Sequence, residues 1–374
     1  MVRLSTIISS FAALAFAVAA PTPYDPLGEY SIEAGNIKAT FLPYGATLKN
    51  LYVKDRWGQA RDIALGYDDP TLYVAPTTHT PRFNTQIGRY ADRLAYASFT
   101  LDGVTYNTTV NGHSKVDPNI NVTFHGGIGF DYRNFSIVSQ AQDSIVFHYF
   151  SPDGEAGFPG DVDFYVSHHV EAPATWSVKM WATFSQRTPF MPTTHLYLQL
   201  NAFNESEPSV LNHTLYIKSD QYQGVDANFF STDQIITIPK GALQDFSTPK
   251  LLGDGFNVDM CGVNCTGYDA LFVYEPYRKN EAVLSTWSDA SGIRLDVTTD
   301  RIGTALYTCG ELTPDSAPKK AAHGSGYYEP NSCIFFEQQS YVDAIHWQGE
   351  LPDDTIFSPS KPFYSESTYT FSTL

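Results

Sequence analysis

Along most of the chain, apolar and polar residues alternate with a period of two, the spacing of a strand that buries one face. In the stretch 176–184, Trp176, Val178, Met180, Ala182 and Phe184 fall on one side and Ser177, Lys179, Trp181 and Thr183 on the other. Ile293, Leu295 and Val297 alternate in the same way with Arg294, Asp296 and Thr298. The pair Asp102-Gly103, set between Phe99-x-Leu101 and Val104-x-Tyr106, is a strong hairpin signal because both residues tolerate the left-handed backbone of a two-residue turn. Residues 137–150 read as two strands around 141–144, and further strands are expected at 29–53, 62–67, 162–171, 211–218 and 234–238. No stretch of helical length keeps an apolar stripe with a 3.6-residue period, and the prolines and glycines are scattered rather than gathered into a linker. The pattern predicts one large antiparallel β domain whose long polar loops, 107–124 and 312–332, are places for binding groups.

Composition changes this picture in two respects. With 43% hydrophobic residues in 374 the chain can bury a large core, and with 23 Lys and Arg against 40 Asp and Glu its net charge is −17, which disfavours nucleic acid and anionic membrane surfaces as partners. The first 19 residues read as a secretory signal: Arg3, an apolar run over 7–18, and small residues at Ala17 and Ala19. A membrane anchor needs about 20 apolar residues, and Pro21 and Pro23 end this run too early. Residues 20–374 are then the mature domain, expected to be secreted and free of the membrane.

Two further features accord with export. Asn107, Asn121, Asn134, Asn204, Asn212 and Asn264 each begin an Asn-x-Ser/Thr sequon and are glycosylation candidates. Four cysteines suit two disulfides. Of three connectivities, Cys261 with Cys265 and Cys309 with Cys333 are expected because each closes the shorter loop. The cysteines lack the paired Cys-x-x-Cys spacing of a zinc site, so no metal is expected.

Gly-x-Ser-x-Gly, His-Glu-x-x-His, the phosphate-binding loop and the dinucleotide fingerprint are all missing, so no nucleotide cofactor is expected. Abundant tyrosine and tryptophan in an acidic β protein point to a carbohydrate ligand, although a large β core also contains them. The sharper signal is a fixed order of segments. Gly88-Arg89-Tyr90-Ala91-Asp92-Arg93 precedes Phe124-His125-Gly126-Gly127, followed by Ser151-Pro152-Asp153-Gly154-Glu155-Ala156-Gly157-Phe158-Pro159-Gly160-Asp161, Thr193-Thr194-His195 and Phe336-Glu337-Gln338-Gln339. From about residue 29 onward this resembles the aldose 1-epimerase (galactose mutarotase) family.

The resemblance implies a galactose mutarotase-like β-supersandwich that interconverts the α and β anomers of a free hexose or pentose without a cofactor. It also implies His195 as general acid, Glu337 as general base, and Arg93, His125 and Asp269 as residues that hold the sugar. Elementary chemistry agrees: mutarotation needs a base at the anomeric hydroxyl and an acid at the ring oxygen. Structural readings stand beside these. His195 can be a satisfied core histidine, Arg93 a surface ion-pair partner, His125 a support for its glycine turn and Asp269 a turn residue. Glu337 amid Ile334, Phe335 and Phe336 is harder to explain without a task, since burying a carboxylate costs several kcal/mol. The family usually has Asn where Asp92, Thr194 and His346 stand, and Ser-Tyr-Phe-Asn where Leu196-Tyr197-Leu198-Gln199 stands. A non-catalytic carbohydrate-binding protein is the first alternative function. A glycoside hydrolase or lyase is another, requiring two carboxylates about 5–10 Å apart across a glycosidic bond. The oligomeric state is not indicated.

Overall fold

The computed structural model describes residues 24–76, 81–203, 209–256, 259–260, 267–274, 281–312, 317–351 and 355–374. Among them every helical segment is a 3-10 turn of three or four residues; the ordered backbone is otherwise strand. The largest sheet has nine strands in the order Ser136–Gln140, Ser144–Ser151, Val162–Glu171, Thr175–Phe184, Phe363–Thr373, Ile293–Thr299, Leu284–Ser288, His213–Ile217 and Lys250–Leu251. A second sheet runs Leu196–Leu198, Ile334–Gln339, Gly303–Tyr307, Gly267–Val273, Gln221–Val225 and Ser231–Thr237, with the short strand Asp259–Met260 added beside Gly267–Val273. A four-stranded sheet over residues 30–62 lies near the N-terminus.

One core joins all three. Trp176, Val178, Met180 and Ala182 of the large sheet, Phe41, Leu48 and Leu51 of the N-terminal sheet, and Leu196, Leu198, Leu306, Ile334 and Phe336 of the second sheet belong to a single apolar cluster. The alternation read from 176–184 therefore points the expected side chains inward. The hairpin forms at Asp102-Gly103, both with positive φ, between Ser98–Leu101 and Val104–Asn107.

The expected strand at 62–67 is a correction. The ladder ends at Asp62, whose buried carboxylate accepts the backbone N–H groups of Leu51 and Ala64, the Asn50 amide and the Lys320 ammonium. Beyond it Ile63 N–H bonds to Leu51 and Leu65 N–H to Tyr197, so the chain crosses from one sheet to the next instead of extending either. The disulfide Cys309–Cys333 is formed, with Cα atoms 5.6 Å apart, whereas Cys261, Cys265 and the sequons at Asn204 and Asn264 lie outside the described residues. Asn107, Asn121, Asn134 and Asn212 are exposed.

The two longest motifs are scaffolding, and Arg89 joins them. Its buried guanidinium donates to Ser151 Oγ and to the carbonyls of Ser151, Pro152, Phe158 and Pro159, all within the Ser-Pro-Asp-Gly-Glu segment. Burial pulls its pKa down to about 10, which still leaves it charged at neutral pH. Lysine has three donors on one atom and cannot reproduce the planar fork. Arg89→Lys is expected to fold yet lose about 3 kcal/mol of stability through carbonyls left unpaired. Equilibrium urea unfolding checks this, and an unchanged midpoint would remove Arg89 from the role.

Candidate active site

Strand register builds the floor of the site. In the second sheet Tyr197 lies opposite Phe335, Phe335 opposite Tyr307, and Tyr307 opposite Asp269. One row further along, Glu337 lies opposite Ala305. Ile334 and Phe336 alternate with Phe335 and Glu337, so the apolar pair enters the core while the other two face the opposite side. That side is the floor of a cavity of about 370 Å³, a size suited to a small ligand. Its lining includes Tyr197, Asp269, Ala305, Tyr307, Phe335 and Glu337 from the sheet and His195 just before the strand Leu196–Leu198, with Arg82, Asp92, Arg93, Phe124 and His125 above.

The wall opposite is set by backbone. Asp92 and His125 both have positive φ and bond reciprocally: His125 N–H donates to Asp92 O at 2.8 Å, and Asp92 N–H donates to His125 Nδ1 at 3.1 Å. Gly126 is required beside them, because a Cβ there would come within 2.4 Å of the Gly88 carbonyl oxygen. His195 is pinned by main-chain bonds from its N–H to Thr85 O and from Asn84 N–H to its own carbonyl.

The five residues singled out from sequence thus meet in one cavity. His195 Nε2 lies 3.1 Å from His125 Nε2 and 3.8 Å from Glu337 Oε1. Arg93 donates to Asp92 Oδ1 at 3.0 Å and to Asp269 Oδ2 at 3.1 Å, and Lys115 bridges Asp269 to Glu311 at the rim. Burial pushes Glu337 well above the usual carboxylate range, and Asp92 and Asp269 add to the rise. Burial likewise holds His125 well below the usual imidazole range, helped by His195, Arg82 and Arg93. Asp92 is raised by burial, against the pull of Arg93. Burial works to lower Arg93, but the Asp269 and Asp92 carboxylates more than offset it and keep the guanidinium charged.

These bonds fix a tautomer. Because His125 Nδ1 accepts the hydrogen bond of Asp92 N–H, the neutral ring carries its proton on Nε2, the nitrogen that faces the cavity. The same bonds weigh against a metal, although His125, His195 and Glu337 offer three ligand atoms within 4.8 Å of one another. A ligating histidine coordinates through one nitrogen and donates from the other, whereas here the outer nitrogen is the acceptor and the inner one holds the proton. The donor set fits proton transfer instead.

Sequence reasoning missed Arg82, Phe124, Tyr197, Tyr307 and the Lys115–Glu311 pair. Period-two spacing from His195 and Glu337 leads to Tyr197 and Phe335, while nothing in Pro81-Arg82-Phe83-Asn84 marks Arg82. His346 is bound on both ring nitrogens, to Asp343 Oδ1 at 2.8 Å and Ser98 O at 2.9 Å. Burial lowers its pKa, but the Asp343 hydrogen bond outweighs this and raises it overall.

The profile of the aldose 1-epimerase family matches residues 28–369. A relative from Arthroderma benhamiae named "Probable aldose 1-epimerase" is 34% identical over 395 residues, spanning 93% of this chain and 87% of its own length. The Bos taurus galactose mutarotase is 29% identical, spanning 93% and 96%. A solved aldose epimerase homologue from C. elegans superposes with a TM-score of 0.79 at 26% identity, covering 93% of this chain and 99% of that one.

Since Asp92 hydrogen bonds to His125 through its backbone, Asp92→Asn should keep the geometry and remove only charge. With less repulsion Glu337 ionises at lower pH, so the acid limb of the pH–rate profile is expected to move down by a few tenths of a unit or more. An unmoved limb would mean that Asp92 does not act on Glu337.

Proposed function

The chain belongs to the aldose 1-epimerase family, and from that premise we propose that it interconverts the anomers of a free aldose through Glu337 and His195. The observation that carries this reading is the pair itself: a buried carboxylate and an imidazole 3.8 Å apart on one cavity floor. Glu337 takes the proton from the anomeric hydroxyl while His195 gives one to the ring oxygen, and the C1–O5 bond breaks. Rotation about C1–C2 turns the other face of the aldehyde to O5. The hydroxyl oxygen re-forms the ring bond as both protons return, so no net proton, electron or water is exchanged. His125 Nε2–H, which donates to His195 Nε2 at 3.1 Å while that nitrogen is unprotonated, turns to the sugar once His195 carries the proton it will give, and Arg93 holds the sugar from a position fixed by two carboxylates.

The hydrolase alternative has less support. Asp92 and Asp269, which would have to partner Glu337 as acid, are both bound by Arg93. A binding protein without activity would not need a buried carboxylate in its floor that has an imidazole beside it in place of an arginine or lysine, since burial is costly.

Glu337→Gln and His195→Asn are expected to lower kcat by about 100-fold or more with the fold intact, while Arg93→Ala mainly raises KM. NMR exchange between the anomers of galactose and glucose measures both, and wild-type turnover in Glu337→Gln would overturn the base. The wild-type acid limb should lie above the ordinary carboxylate range, since a raised Glu337 is protonated, and idle, until the pH exceeds its shifted pKa.

Export is the second part of the proposal. It is supported by the buried Cys309–Cys333 disulfide and by the four exposed sequon asparagines. The protein recovered from the medium of an expressing host should begin within a residue of Ala20. A chain retained inside the cell with Met1 in place would refute it.

A further inference from the structure

Of the two guanidinium groups in the cavity wall, Arg93 has both ends engaged by carboxylates. Arg82 does not. Its Nε donates to Asp131 Oδ2 at 2.8 Å, and Asp131 is fully buried. Among the described residues its two terminal amino groups have no hydrogen-bond partner, although the side chain is only 9% exposed and lines the cavity. Its guanidinium carbon lies 5.6 Å from the centroid of the Phe124 ring, which Arg93 approaches at 5.2 Å. The group is thus oriented by Asp131 and Phe124 and left with two parallel donors. Both amino groups open onto the cavity, where a ligand can take the place of solvent.

We infer that Arg82 is a specificity-determining residue that pairs with the C6 carboxylate of a hexuronic acid, so that uronic acids as well as neutral aldoses are substrates. This rests on the reading that the cavity anomerises free sugars. Two arguments lead from donor to ligand. A planar guanidinium with two free amino groups matches a carboxylate in bidentate fashion, more closely than it matches a single hydroxyl. Ring oxygen O5 and carbon C6 are both bonded to C5, so a sugar whose O5 faces His195 brings its C6 substituent two bonds from that point. Arg82 and His195 line the same cavity, and Arg82 is near enough to His125 to lower its pKa.

Charge balance permits the ligand. Arg82, Arg93 and Lys115 face Asp131, Asp92, Asp269 and Glu311 through direct ion pairs, and burial pushes both Asp92 and Glu337 upward. A 6-phosphate, with up to two charges and only the open amino groups of one ion-paired guanidinium to meet them, fits less well.

The test measures anomer exchange by NMR for galactose, galacturonate and galactose 6-phosphate at about pH 6, where the uronate is ionised. Wild type should turn over galacturonate. Arg82→Met should lower the ratio of kcat/KM for galacturonate to that for galactose by about tenfold or more. Arg82→Lys, which keeps the charge and loses the fork, should lower the same ratio and serves if Arg82→Met does not fold. Turnover of galactose without galacturonate would overturn the inference and leave the proposed function standing; turnover of neither would sink both. Equal losses for the two sugars would make Arg82 a hydroxyl donor, and a preference for the 6-phosphate over the uronate would also overturn the carboxylate assignment.

Discussion

A carboxylate that must lose and regain a proton cannot be locked in a salt bridge, yet a carboxylate buried without one is expensive to keep. The surroundings of Glu337 are shaped by that conflict. Other acids of the cavity and its wall are held by a cation: Asp92 and Asp269 by Arg93, Glu311 by Lys115, Asp131 by Arg82. Glu337 Oε1 accepts no hydrogen bond among the described residues and has an imidazole at 3.8 Å instead. The cost is met on the other face of the same strand, where Ile334 and Phe336 enter the main core. An antiparallel strand buried on both sides, apolar below and reactive above, is what allows one residue of the row to be held at a disadvantage.

The same logic explains why so much of the recognisable sequence never touches the cavity. Arg89 ties residues 88–90 to the turn at 151–160, and Gly88, Gly126 and Gly129 permit close contacts that any side chain would block. A Cβ on Gly88 would meet the Phe130 ring at 2.3 Å, and one on Gly129 would meet the Gly88 carbonyl oxygen at 2.0 Å. Asp92 and His125, both in left-handed backbone, occupy the wall that these contacts fix. The motif is long because the wall is rigid, and two of its residues reach the cavity.

Legibility in sequence follows the range of the interaction concerned. Strands with one buried face, such as Thr175–Phe184 and Ile293–Thr299, are visible because burial imposes a period of two on the letters themselves. The Asp102-Gly103 turn is visible because its backbone restricts residue type. The segment 62–67 looked like a strand because its residues are apolar, but the buried Asp62 network, closed by Lys320 from far along the chain, ends the ladder there. The five site residues were reached through resemblance, and no local signal places His195 beside Glu337; that depends on register between strands 140 residues apart. Arg82 carried no signal of any kind, since its partner Asp131 and its neighbour Phe124 are known only from the fold.

Three of the positions at which the resemblance marks a departure, Asp92, Thr194 and His346, lie beside the reacting atoms, and their geometry shows why they can vary. Asp92 holds His125 through its own backbone N–H and C=O, bonds that an Asn, equally at ease in left-handed backbone, would leave intact. Its side chain meets Arg93, and an Asn there would offer the same acceptor without the charge. Thr194 bonds Gln86 behind the cavity, and His346 bonds Asp343 and the Ser98 carbonyl at the start of the hairpin strand Ser98–Leu101. Two of these three exchanges, at Asp92 and at His346, change the electrostatic setting of the site while the backbone that positions His125, His195 and Glu337 stays the same. Variation of this kind tunes when the acid and base are charged and leaves where they stand untouched, which is how one scaffold can be adjusted to a different pH or a differently charged sugar.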